Sequence, residues 1–356
     1  MFQFFRKMIK RTRVEISKCI IHKVANKYNS GQNALSESLV RFDEESYELL
    51  VPFLLKPFGS VTQSYRFSHH ADVRLNEINK YTSDIFENEE SFIEHSKNIV
   101  NHLYEQSNSA NIKTGDVIVA YFEGIEYKDV LTEAVGVFKI ESKVDFFQTY
   151  LDEDSFDVVV QKGISTKKLD KGCLILNSSD TEGTVVLSVD NNNYDAQYWI
   201  KNFLSVKYAD DRNLHTQNYL ELCKEFSEEI IKPEFGKQEQ STFLANTVDY
   251  FKEHESVDYH NFKDDVFEED KHKDMFEDYK KHFEKLNDVL IRNNFEVSDA
   301  VLKKEKSKFK TEIKLDTNIQ IKIDVDAPDA PSEYLERGYD DDKKMKFYKV
   351  YYNAEK

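Results

Sequence analysis

Apolar and polar residues alternate most clearly near the C-terminal end of the chain. In KFKTEIKL (308–315), Phe309, Thr311, Ile313 and Leu315 fall on one face of a strand, with Lys308, Lys310 and Lys314 on the other. After the turn residues Asp316, Thr317 and Asn318, the alternation resumes with Ile319, Ile321, Ile323 and Val325. The pattern predicts a β-hairpin with one wet, basic face. A last strand, FYKVYY, follows ERGYDDDK.

Upstream, VEISKCIIHKV (14–24) reads as a strand. The apolar run YELLVPFLLKPF (47–58) is cut by Pro52 and Pro57, which predicts an edge strand leading into a turn or a helix start. Residues 72–107 have helical spacing, with Leu75, Ile78, Ile85, Phe86, Phe92, Ile93, Ile99, Val100 and Leu103 as the apolar positions. Strand signals then come in quick succession: GDVIVAYFEGI, EAVGVFKIESK, FDVVVQKGI, KGCLILN and GTVVLSVD. Their short spacings favour a meander of antiparallel hairpins over βαβ units. Residues 194–206 predict a short amphipathic helix around Trp199.

Helical stripes follow, Leu214, Tyr219, Leu222, Phe226 and Ile230, then Met275, Phe276, Tyr279, Phe283, Leu286 and Leu290. The expected class is α+β: a mixed domain on an antiparallel sheet (1–206), an acid-rich helical region (207–300) and a small β-rich element (301–356).

Composition fits packed cores, with 40% hydrophobic and 13% aromatic residues. No run reaches the roughly eighteen apolar residues of a membrane span. The opening MFQFFRKMIKRTR places its charges after its apolar residues, the wrong order for a secretory signal, and Met8 is an alternative start to Met1. Cys19, Cys173 and Cys223 are widely spaced, as expected of reduced, buried thiols in a cytoplasmic protein.

The net charge of −17 is unevenly spread. Residues 1–27 carry Arg6, Lys7, Lys10, Arg11, Arg13, Lys18, Lys23 and Lys27 against the single acid Glu15. Residues 303–310 carry Lys303, Lys304, Lys306, Lys308 and Lys310 against Glu305. Thirteen acids and six lysines occupy 253–288. Beyond a Debye length of about 8 Å exposed charges are screened, so the local charge of a docking face decides whether DNA binds.

Catalytic signals are weak. His69 and His70 lack a third ligand at helical spacing, and His22 at the end of an apolar strand reads as a satisfied core histidine. Asp340, Asp341 and Asp342 read as a solvated turn, since neighbouring side chains diverge; a Mg²⁺ nuclease needs carboxylates converging from different strands. Asp210 and Asp211 read as helix-capping charges before Asn213. No phosphate loop, nucleophile elbow or HExxH is present. No enzyme activity, cofactor or metal is expected.

Several segments resemble the bacterial nucleoid-associated proteins of the NdpA/YejK family. ISKCIIHKV, with His22, is similar to that family's opening strand, and GDVIVAYFEGI with AVGVFKIESK to its central hairpin. KKLDKGCLILN, the segment QYWIKNFLSVKYADDRNLHTQNYLELCKEF, and YLERGYDDDKKMKFYKVYY continue the likeness in the family's order. The resemblance implies a cytoplasmic, nucleoid-located, non-catalytic protein that binds double-stranded DNA with little sequence specificity. The contacts expected are Arg6, Lys7, Lys10, Arg11 and Arg13, together with Lys303, Lys304, Lys306, Lys308 and Lys310. A homodimer would strengthen such weak sites. The alternative is an acidic adaptor whose 253–288 stretch docks a DNA-topology enzyme or another DNA-acting protein.

Overall fold

Strand-forming segments in the first half of the chain gather into one antiparallel sheet. In this computed structural model the described residues are 9–10, 14–178, 183–192, 197–324, 334–352 and 354, with backbone alone at 9, 10, 310, 311, 323 and 324. The chain divides into two compact units, Met1–Ala209 and Asp210–Lys356.

The first unit runs β1 (Ile9–Lys10), β2 (Glu15–Val24), α1 (Glu44–Leu55), β3 (Tyr65–Phe67), α2 (Glu77–Glu87), α3 (Phe92–Glu105), β4 (Gly115–Tyr127), β5 (Val130–Ile140), β6 (Lys143–Asp152), β7 (Ser155–Ile164), β8 (Lys171–Leu176), β9 (Val185–Asp190) and β10 (Val206–Tyr208). Its main sheet has the order β1-β4-β5-β8-β9-β3-β10, with β2 also paired to β4. On one face Val117, Val119, Tyr121, Val135, Val137 and Ile175 pack with Ile78, Ile85, Ile99, Leu103 and Trp199. On the other, Ile118, Ala120, Phe122, Phe138 and Leu174 pack with Phe53, Leu54, Leu55 and Phe58. Both parities of β4 are therefore apolar. Trp199 sits in a π-helical segment, Gln197–Leu204, where the short amphipathic helix is expected.

Two features depart from expectation. The 47–58 run forms most of α1 and the start of a 3-10 turn, Lys56–Ser60, rather than an edge strand. Asp43 caps that helix by accepting a hydrogen bond from Ser46 N–H at 2.8 Å, and Glu44 and Glu45 favour its first turn. Burial of Phe53, Leu54 and Leu55 carries the helix past Pro52. Secondly, FDVVVQKGI does not join the main sheet. It is paired, as β7, with β6 in a separate two-stranded ribbon. Buried charges fix the ribbon's root. Asp170 accepts from Glu141 N–H (2.7 Å) and Ser142 N–H (2.9 Å), and fully buried Lys139 pairs with Glu141 at 2.9 Å.

The second unit runs α4 (Arg212–Phe226), α5 (Lys232–Phe235), α6 (Lys237–Glu253), β11 (Ser256–Asp258), α7 (Tyr259–Val266), α8 (Asp270–Asn287), β12 (Asn294–Glu296), α9 (Asp299–Glu305) and four strands, β13 (Lys310–Lys314), β14 (Gln320–Asp324), β15 (Leu335–Asp340) and β16 (Met345–Val350). β13 pairs with β14 and β15 with β16, as two hairpins. Tyr219, Phe226, Phe276 and Phe283 are buried as the helical stripes predict, but Leu286 and Leu290 are 68% and 73% exposed. Leu286 lies in the exposed last turn of α8, and Leu290 falls beyond it, because left-handed Asp288 (φ 52°) terminates the helix. Leu302 and Phe309 enter the same core as α4, α6 and α8. Val325 lies outside the described residues.

His22 is held as a neutral, satisfied core histidine. Ser36 N–H donates to its Nδ1 (3.0 Å), so the ring proton is on Nε2, which donates to Ser96 Oγ (2.9 Å). Burial, helped by Lys97 nearby, pulls its pKa down to about 4. The unfolded chain therefore takes up this proton first. Stability from His22 is complete above about pH 6.5 and declines as pH falls towards 4, by about 3 kcal/mol in all. Urea unfolding of His22→Gln across pH 4–7 is expected to lack that slope; an identical slope in both proteins would contradict the assignment.

Candidate nucleic-acid interface

Lysines 303–308 do not lie on a strand. Ser298 caps α9, with its side chain accepting from Val301 N–H. Val301 and Leu302 face inward, and Lys303 and Lys304 are exposed. A 3-10 turn, Lys306–Lys308, continues the helix until Phe309, only 2% exposed, seals it against the core. The charge density of KKEKSK reads as strand-like only if Phe309 is placed in an alternation; the capping serine at 298 is the signal for a helix instead. Lys308 pairs with Glu305 at 2.6 Å. Lys304 forms no ion pair among the described residues.

The two hairpins of the same unit carry further lysines. Ile313 is buried, as the alternation predicts, with Lys314 and Lys322 on the exposed side. Lys310 is paired with Asp324 in the backbone register, and Glu312 stands opposite Lys322 and binds Lys314 (3.2 Å), so the lysines of this hairpin have an acid among them. Lys237 Nζ donates to the Glu312 carbonyl (2.8 Å) and Gln238 Nε2 to the Leu335 carbonyl (2.6 Å), which seats both hairpins beside the start of α6. Lys344 and Lys346 are exposed on the second hairpin. The basic candidates above omit both, although KKMK is visible in the sequence.

Of the N-terminal candidates, Arg6, Lys7, Arg11 and Arg13 lie outside the described residues. Lys10 lies in β1, opposite Glu126. Further along the basic stretch, Lys18 is bound by Glu89 (2.7 Å) and Lys27 by Glu105.

The other constellations have structural roles. Asp211 accepts from Asn213 and Leu214 N–H as the cap of α4. Asp340 accepts from Asp342 and Lys343 N–H, tying the aspartate triplet into the turn of the second hairpin. His69 Nδ1 accepts from the N–H groups of Ala71 and Asp72. Among the described residues, no three His, Cys, Asp or Glu side chains are grouped as a metal site. Cys19, Cys173 and Cys223 are free and buried, with burial pushing the Cys19 thiol up to about 12.

In the acid-rich stretch, carboxylates are interleaved with lysines. Lys263 pairs with Glu277 (3.0 Å), Lys273 with Asp264 (2.8 Å) and Lys281 with Asp278 (3.2 Å). A cleft of about 420 Å³ beside it has Phe235, Phe243 and Phe267 in its walls and also Glu239, Glu268 and Glu269. Its charge has the wrong sign for a phosphate backbone.

The family model described as nucleoid-associated protein YejK matches residues 20–344. The chain belongs to this family. The match includes α9, the lysines of 303–310 and the aspartate turn, and begins after Arg6, Lys7, Lys10, Arg11 and Arg13. A comparison with curated proteins finds no match. No helix among the described residues is long and apolar enough to cross a membrane.

If the core positions the basic surface, the two can be separated by mutation. Phe309→Ala is expected to destabilise the protein by about 3–5 kcal/mol. Lys304→Ala should stay within about 0.5 kcal/mol of wild type. Chemical denaturation of both variants tests this; equal effects would contradict it.

Proposed function

We propose that the protein is a non-catalytic, nucleoid-located binder of double-stranded DNA with little sequence specificity. The observation that carries this reading is the lysine group at 303–308, with Lys303, Lys304 and Lys308 exposed and Lys306 half-buried on a helix and turn whose inner side is anchored by Val301, Leu302 and Phe309, within the segment matched by the nucleoid-associated family. Lys303, Lys304, Lys306, Lys308 and Lys310 contact phosphates. Arg6, Lys7, Lys10, Arg11 and Arg13 form a second contact. Lysines without interleaved aromatic rings neutralise the backbone but do not read bases, which accounts for the weak specificity. The overall charge of −17 repels DNA at long range, but screening confines that repulsion to about 8 Å at physiological salt. A homodimer joins two such sites and raises apparent affinity without new contacts.

The test is binding of a labelled random-sequence duplex across a salt series, with Mg²⁺ present and the DNA checked for cleavage. Wild type should bind more weakly as salt rises and leave the DNA intact. Lys303→Glu, Lys304→Glu and Lys308→Glu combined should weaken binding equally for unrelated duplexes and reduce the log–log salt slope by about 3. Unchanged affinity in that variant would remove these lysines from the reading. Cleavage would overturn its non-catalytic part.

A further inference from the structure

The β6–β7 ribbon carries the most exposed apolar surface described in the first unit. Its strands have ten residues each, which at the usual strand rise makes it about 33 Å long. Register places Phe147 beside Val160, Thr149 beside Val158 and Leu151 beside Phe156. Directly paired residues share a face, so these side chains form one continuous apolar strip. Phe147 is 77% exposed, Phe156 72%, Leu151 63%, Val160 62% and Val158 59%. An isolated two-stranded hairpin is marginal in water and needs a further layer on its apolar face. Patches of a few hundred Å² on an otherwise polar surface mark sites of association.

Charge indicates what that layer is. The ribbon's tip carries Asp152, Glu153, Asp154 and Asp157. Its base carries Lys143, bound by Asp116 (2.8 Å), and Lys162, opposite the single acid Asp145, with Lys167 and Lys168 just beyond. Lys162 is exposed and makes no ion pair among the described residues. A ribbon that is acidic at one end and basic at the other, with an apolar strip between, is complementary to itself when reversed end for end.

We propose that two copies of this chain associate through this strip, ribbon stacked on ribbon and antiparallel. A two-fold axis across the Thr149–Val158 pair, perpendicular to the strands, sets Phe147 over Leu151 of the second copy and Phe156 over its Val160. The same operation brings Asp154 towards Lys162 of the second copy. Parallel stacking would put acid on acid at the tips. The contact is isologous and closes on itself, giving a dimer rather than a filament. This inference rests on the homodimer proposed above and names its surface. It is independent of whether the protein binds DNA.

Sedimentation velocity of the full chain over a micromolar concentration series tests it, with circular dichroism confirming that each variant folds. Wild type should be dimeric, and Val158→Asp should weaken association by about 100-fold by burying a charge in the strip. Lys162→Glu and Asp154→Lys should each weaken it by about tenfold, and the double variant should recover most of the loss. A wild-type monomer at every concentration would overturn both the homodimer and its surface. A wild-type dimer that Val158→Asp leaves intact would overturn only the ribbon as its surface. Weak single variants with no recovery in the double would overturn the antiparallel arrangement.

Discussion

Because β4, β5 and β8 are covered on both faces, their side chains have little freedom of chemistry. Antiparallel sheets commonly leave one face to solvent, but here α2 and α3 cover one side and α1 with Phe58 the other. The constraint reaches the backbone at Gly136. A Cβ there would stand 2.5 Å from the Phe138 ring and 2.7 Å from Phe122, whose two rings meet edge to face at 6.0 Å. Polar groups are pushed to the ends of the strands, where Lys139, Glu141, Asp170, Lys171 and Asp190 pair or cap one another. Desolvation lowers the Lys139 pKa, and Glu141 keeps its ammonium paired. A buried ion pair of this kind adds little net stability, but losing one partner leaves an uncompensated charge. The cluster thus fixes where β5 ends and where the ribbon leaves the sheet.

The second unit uses aromatic packing where the first uses a sheet. Tyr219 has ring neighbours in Phe251, Phe262, Phe276 and Phe295, at centroid separations of 5.0 to 6.4 Å. Such edge-to-face and tilted contacts add directional preference to hydrophobic burial. Helices of strongly charged sequence are held in place by these rings rather than by their surface ion pairs, most of which are exposed and individually worth little. The lysines of α9 inherit their position from this core through Leu302 and Phe309.

Much of this was legible in the sequence where periodicity and burial agree. The 72–107 helices, the strands after Gly115, the cap at Asp211 and the hairpin across 316–318 all follow from local pattern. Failures occurred where tertiary packing overrode a local rule. Pro52 suggested a break, but the buried Phe53, Leu54 and Leu55 keep the helix going. Leu290 fits a stripe that the turn at Asp288 cuts off, and Leu286, in the last turn of α8, reaches no core. β6 was missed because KVDFFQTYLD has apolar residues on both faces and belongs to no core, so no burial pattern marks it. Of the basic residues, Lys304 and Lys308 are exposed, whereas Lys18 and Lys27 are held by acid partners seventy or more residues away in sequence. Lys344 and Lys346 were overlooked because the aspartates before them make the segment look neutral.

The ribbon enters and leaves the sheet at adjacent points. Lys139 on β5 stands opposite Lys171 on β8, and Asp170 closes the corner by binding the backbone of Glu141 and Ser142. None of the bonds joining β5 to β8 passes through residues 143–164. The arm is consequently a module grafted onto a finished sheet. Descent can lengthen it, recolour its charges or discard it without disturbing the core that the rest of the unit shares.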